Sequence, residues 1–201
     1  MIRKCSLIMP IEDLINKAQA NNIEAFEELV ALYQDRVYTH CRHLANDPHD
    51  AQDLAQDVFI QAYKSIKSFR KDADFGTWLH KIAVNLWINK CRKNKKIIAF
   101  SLDEPIFTGD GELMRELAAS EDSPLDKAEQ VEIRDIIIRA FNNLVPEFKT
   151  ALVLREFEGY SYEEIASILG CSLGTVKSRI NRGRKKLQKE LELLGFRSVN
   201  R

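Results

Sequence analysis

The chain has 201 residues, of which 45% are apolar and 30% charged, and its 30 Lys and Arg balance its 30 Asp and Glu. Those fractions are ordinary for soluble protein, and the length suits one large or two small domains. No apolar run approaches the 18 or more residues a membrane span requires, and the apolar part of MIRKCSLIMP is too short for a signal peptide, so a cytoplasmic location is expected.

The zero net charge hides a partition. Residues 1–63 carry 5 basic and 10 acidic side chains, residues 64–96 carry 10 and 2, residues 97–127 carry 2 and 8, and residues 128–201 carry 13 and 10. A uniformly basic protein would coat nucleic acid indiscriminately. This pattern instead predicts two separate basic surfaces divided by acidic segments.

The fold class expected is all-α: two small helical domains joined by a flexible acidic linker, the second containing a helix-turn-helix. Gly and Pro are scarce, and apolar residues recur at helical spacing almost throughout. The first domain, residues 11–96, should hold helices near 11–20, 24–45, 48–69 and 75–95. Within it His40, Cys41 and His43 lie close together, but no nearby second ligand pair supports a metal site, and none is expected. Cys5, Cys41, Cys91 and Cys171 form no CxxC pair and read as small buried hydrophobes. In the third helix Ala51, Leu54, Ala55, Val58, Ala62 and Ile66 form a buried side. Opposite them stand Asp53, Gln56, Asp57, Ile60 and Lys64. An apolar Ile60 among acidic and amide groups is either a protein-contact patch or one stray exposed side chain.

The helix beginning near Asp74 turns Phe75, Trp78, Leu79, Ile82 and Leu86 inward. Lys81, Asn85, Ile88 and Arg92 line up on its outer side, with Thr77 and Val84 beside them and Lys90, Lys93, Lys95 and Lys96 extending the positive field. Cations mixed with apolar groups suit unstacked single-stranded bases, which offer flat faces as well as phosphates. The preceding loop, Ser68 to Gly76, could hold a flipped base.

Residues 97–127 read as a linker, interrupted by Pro105, by Thr108–Gly111 and by Ser120–Pro124, with a short helix possible at Glu112–Ala119. The second domain, residues 128–195, should hold helices near 126–142, 146–157, 162–169 and 173–193, with Pro146 at a first helical position. Ser161 and Glu164 form a capping box, Gly170 fits a left-handed terminus and Ser172 an N-cap. Between Glu164 and Glu190 there is no acidic residue but seven Lys or Arg. Stepping 100° per residue puts Leu173, Val176, Ile180 and Leu187 on one face. The opposite face carries Gly174, Thr175, Ser178, Asn181, Arg182 and Lys185, flanked by Lys177, Arg179, Arg184 and Lys186. Small polar groups near the N-terminus with cations around them are what a DNA recognition helix needs.

Three segments together resemble the bacterial sigma factors of the extracytoplasmic-function group, over about residues 22–96 and 126–192. DAQDLAQDVFIQAYKSI (50–66) is similar to the helix that grips the polymerase clamp, FGTWLHKIAVNLWINKCRK (75–93) to the helix that opens and reads the −10 element, and YSYEEIASILGCSLGTVKSRINRGRKKL (160–187) to the −35-reading domain. The resemblance implies that Asp53, Gln56 and Asp57 bind core RNA polymerase. It implies that Lys81, Asn85 and their neighbours take the non-template −10 strand, and that Lys177, Ser178, Asn181 and Arg182 read −35 bases or nearby phosphates. It makes residues 11–96 sigma region 2 and residues 128–195 sigma region 4. It implies a promoter-specificity subunit acting in an envelope or stress response, an anti-sigma factor as a further partner, and no cofactor, membrane insertion or enzymatic activity. A stand-alone helix-turn-helix regulator is the alternative, though no dimerisation coiled coil is evident. An enzyme finds no paired carboxylates, nucleophile–base motif or Gly-rich phosphate loop to support it.

Overall fold

The computed structural model describes residues 9–45, 47–93, 133 and 136–196, and every regular element among them is helical. The expected linker, the Glu112–Ala119 helix, Lys95, Lys96 and the start of the 126–142 helix lie outside the described residues. The chain forms two compact units that divide at Trp87–Ile88.

In the first unit, α1 (Ile11–Gln19) buries Leu14, Ile15 and Ala18 along one stripe. Asn21, at φ 67, makes the turn, in the left-handed region that Asn tolerates better than most side chains. Asn22 then caps α2 (Ile23–Leu44), its side chain accepting from the Ala25 amide at 2.7 Å. Asp47 caps α3 (Pro48–Ser65) in the same way, with Pro48 in the first turn. The buried side of α3 is Ala51, Leu54, Ala55, Val58 and Ala62. Helix geometry stops at Ser65, whose hydroxyl donates to the Gln61 carbonyl, and a 3₁₀ turn (Ile66–Ser68) follows. The helix expected to reach residue 69 therefore ends earlier, because Ser65 turns its side chain back on the preceding turn.

Asp74 starts α4 (Phe75–Lys93) by accepting from the Gly76 and Thr77 amides. α4 meets α2 through an edge-on Tyr33–Phe75 pair and a stacked His40–His80 pair, with ring centroids 5.2 and 4.0 Å apart. Leu79 is fully buried at its centre. Truncating such a side chain to Ala costs about 2–5 kcal/mol.

The second unit holds α5 (residues 136–142), α6 (Pro146–Leu152), α7 (Tyr162–Leu169) and α8 (Leu173–Leu193). After Leu152 the helix widens into a π turn, Val153–Phe157, so the expected 146–157 helix is α-helical only in its first half. The π turn places Val153 and Leu154 in the core together with Phe141, Ile165, Ile168, Val176, Ile180 and Leu187. Gly183 marks the crossing of α6 and α8, where a Cβ would lie 3.1 Å from Leu152 Cδ1 and 3.3 Å from Phe148 Cβ. A side chain there would push the two helices apart.

Candidate nucleic-acid interface

The helix-turn-helix is fixed by local chemistry. Ser161 Oγ accepts from the Glu164 amide at 3.2 Å while the Glu164 carboxylate accepts from the Ser161 amide at 2.8 Å, which closes the capping box. Those bonds, the main-chain one first, hold the Glu164 carboxyl below its ordinary range. Gly170, at φ 61, ends α7 in the left-handed region, and Ser172 opens α8 by accepting from the Thr175 amide. The Ser172 and Thr175 hydroxyls lie 2.8 Å apart.

α8 presents the expected polar face. Gly174, Lys177, Lys185 and Lys186 are exposed, and Thr175, Ser178, Asn181 and Arg182 are half-buried. No acidic side chain occupies its first turn, so the positive end of the helix dipole is not neutralised there. Two expectations fail. Leu173, assigned to the packed face, is 36% exposed, because it is the first residue of the helix and sits at its open end. Arg184, assigned to the cationic flank, is spent inside the domain: its Nε and Nη2 donate to Glu156 Oε1 at 3.1 and 2.8 Å. Arg155 is likewise engaged. It donates to the Tyr160 carbonyl at 2.9 Å and lies over the Tyr162 ring.

Along α4, Lys81, Asn85 and Arg92 are exposed and Ile88 is half-buried. Val84 does not belong to that outer face; it is fully buried. The 100° step places it next to His80 and Trp87, and α4 buries that row as well as the Phe75–Leu79–Ile82 row. Around the start of α4, Phe69, Phe75 and Trp78 form an aromatic cluster with centroids 4.9 to 5.5 Å apart. Arg70 and Lys71 stand exposed in the adjoining loop, where Lys71 has φ 63. Tyr33 lies edge-on to Phe75, and burial first, then Asp74, pushes its hydroxyl pKa up.

On α3, Asp53, Gln56, Asp57 and Ile60 are all exposed on one side. Tyr63, which the sequence reading missed, extends that side: it is 47% exposed and touches Phe26 edge-on at 5.1 Å. The signal was available, since Gln56, Ile60 and Tyr63 follow i, i+4, i+7. His40 and Cys41 are buried.

Comparison with known proteins matches residues 29–97 to Sigma-70 region 2 and residues 134–187 to Sigma-70, region 4. The chain is 35% identical over 184 residues to the ECF RNA polymerase sigma factor SigW of Bacillus subtilis, covering 91% of this chain and 97% of that one. It is 34% identical over 185 residues to the ECF RNA polymerase sigma-E factor of Escherichia coli, covering 90% and 94%. Among solved structures, the sigma factor RpoE of Bartonella quintana, in complex with the anti-sigma factor NepR, aligns with TM-score 0.58 and 25% identity, over 88% of this chain and 98% of that one.

Proposed function

The chain belongs to the extracytoplasmic-function RNA polymerase sigma factors, and from that premise we propose how its surfaces divide the work. It directs promoter-specific transcription initiation with core RNA polymerase, as a specificity subunit without chemistry of its own. The α3 side of Asp53, Gln56, Asp57 and Ile60, widened by Tyr63, takes the polymerase. Lys81, Asn85, Ile88 and Arg92 of α4 take the single-stranded −10 element. Thr175, Lys177, Ser178, Asn181, Arg182 and Lys185 of α8 read duplex −35 DNA. The observation that carries this reading is that two sigma regions match in order along the chain, residues 29–97 and 134–187, and that α4 in the first and α8 in the second each expose a cation-bearing face.

Neither basic surface is large, so each alone should bind weakly. Polymerase would hold both on one promoter and raise their effective concentration there. An anti-sigma factor is a natural further partner, as for the Bartonella RpoE. Among the described residues no helix is long and apolar enough to cross a membrane. The test is transcription from a genomic template library with purified core polymerase. Discrete start sites that require the chain are expected, and their absence would refute the reading.

A further inference from the structure

The loop between α3 and α4 is held from outside its own two helices. Gln19 ends α1, and its side-chain nitrogen donates to two main-chain carbonyls far off in sequence, Ile66 at 3.0 Å and Phe69 at 2.8 Å. Both follow the end of α3: the Ile66 carbonyl also accepts from the Phe69 amide, and the Phe69 carbonyl lies just past the 3₁₀ turn. Asn16, three residues earlier on α1, accepts through Oδ1 from Lys71 Nζ. At the far end of the loop, Arg36 of α2 lies 3.9 Å from Asp74, the residue that starts α4. Between these fastenings, Lys71 adopts φ 63. A non-glycine residue in the left-handed region persists where its surroundings over-determine it. Here Asn16 holds the Lys71 side chain, and Gln19 holds the main-chain carbonyls of Ile66 and Phe69 just before it.

The apolar burial of α1 involves neither residue. Leu14, Ile15 and Ala18 carry its burial, while Asn16 is exposed and Gln19 half-buried. α1 also lies wholly before residues 29–97, the segment that matches Sigma-70 region 2. The brace is therefore supplied by this chain from outside the matched region.

We propose that Gln19 and Asn16 are positioning residues for −10 reading. They set the α3–α4 loop so that Arg70 and Lys71, beside the Phe69–Phe75–Trp78 cluster, can receive an unstacked base. The proposal rests on the assignment of α4 to the −10 strand. Neither residue touches DNA; each acts through the loop. A loop that samples other shapes when unbraced is competent for only a fraction of the time, and apparent affinity falls by that fraction.

The experiment uses holoenzyme assembled from core polymerase and the full chain. The probe is a promoter carrying 2-aminopurine in its non-template −10 strand, with all four bases tried at each −10 position. Gln19→Met keeps the size of the side chain and removes its donor; Asn16→Ala releases Lys71 and is surface-exposed, so it leaves the fold intact. Both variants should open the promoter on the order of tenfold more slowly, the scale expected for one or two lost hydrogen bonds. Both should also lose base discrimination at one −10 position with core-polymerase affinity unchanged, and Gln19→Met should in addition lower the melting temperature by a few degrees. Wild-type discrimination in both variants would overturn the proposal. So would a slower opening that merely tracks a parallel fall in polymerase affinity. If the wild-type holoenzyme itself fails to open the promoter, the −10 assignment of α4 falls and the proposal with it.

Discussion

Arg184→Ala separates a structural cation from a DNA-contacting one. By position alone Arg184 belongs with Lys185 and Lys186 on a basic helix, yet its guanidinium donates twice to Glu156 Oε1, at 3.1 and 2.8 Å. The side chains are 31% and 16% exposed, so the pair is neither a surface ion pair nor a fully buried one. Exposed pairs contribute about 0–1 kcal/mol, and breaking a buried pair costs about 3–5 kcal/mol. Arg184→Ala leaves the shielded Glu156 carboxylate without this partner, and a cost of about 1.5 kcal/mol lies between those limits. In a domain of this size that corresponds to a melting shift of roughly 6–12 °C. Scanning calorimetry of the full chain should show it, and a double-mutant cycle with Glu156→Ala should show coupling. The salt dependence of promoter binding by the polymerase-bound protein should keep its slope in Arg184→Ala. Lys185→Ala should lower that slope by about one, as for a lost phosphate contact. An unchanged melting temperature together with a reduced salt slope would refute the structural role of Arg184.

Four other outcomes are expected. Arg182→Ala should cost roughly 1–3 kcal/mol and relax preference at a single −35 position in a base-by-base binding assay, if its contact is bidentate to a base; a uniform loss on every sequence would mark a phosphate contact. Gly183→Leu should destabilise the second unit by about 1–3 kcal/mol in denaturant titration, because a Cβ there already lies 3.1 Å from Leu152 Cδ1. Asp57→Lys should weaken core-polymerase binding while circular dichroism stays unchanged, since Asp57 is exposed; unaltered affinity removes it from the interface. The capping box should respond to acid: Glu164 has a lowered folded pKa, so its contribution is present above the ordinary value of 4.5 and is lost as pH falls through the folded one. Glu164→Gln should flatten that part of the stability–pH curve, and an unchanged curve would count against the box.

Local signals were legible because their partners are close in sequence. Ser161 with Glu164, Gly170 and Ser172 each act within one turn, and the helix-turn-helix follows their chemistry. The buried stripe of α3 was legible for the same reason, since one helical period defines it. What escaped are contacts between residues that only the fold brings together. Arg184 looked like a DNA cation because Glu156 lies 28 positions away. Gln19 gave no signal at all, because its partners are main-chain carbonyls 47 and 50 positions distant, and a carbonyl has no residue type to read. Val84 was misplaced for a different reason: periodicity assigns one buried face, whereas α4 buries two adjoining rows.

Two weak DNA-reading surfaces should work together once polymerase holds them in register. Start-site-mapped transcription by the reconstituted holoenzyme, on a promoter whose spacer is lengthened by about five base pairs, half a helical turn, tests it most directly. The original spacing should initiate at one site, the lengthened spacer should abolish initiation, and the free protein should bind neither template tightly. Equal initiation from both spacings, or tight binding by the free protein alone, would contradict it.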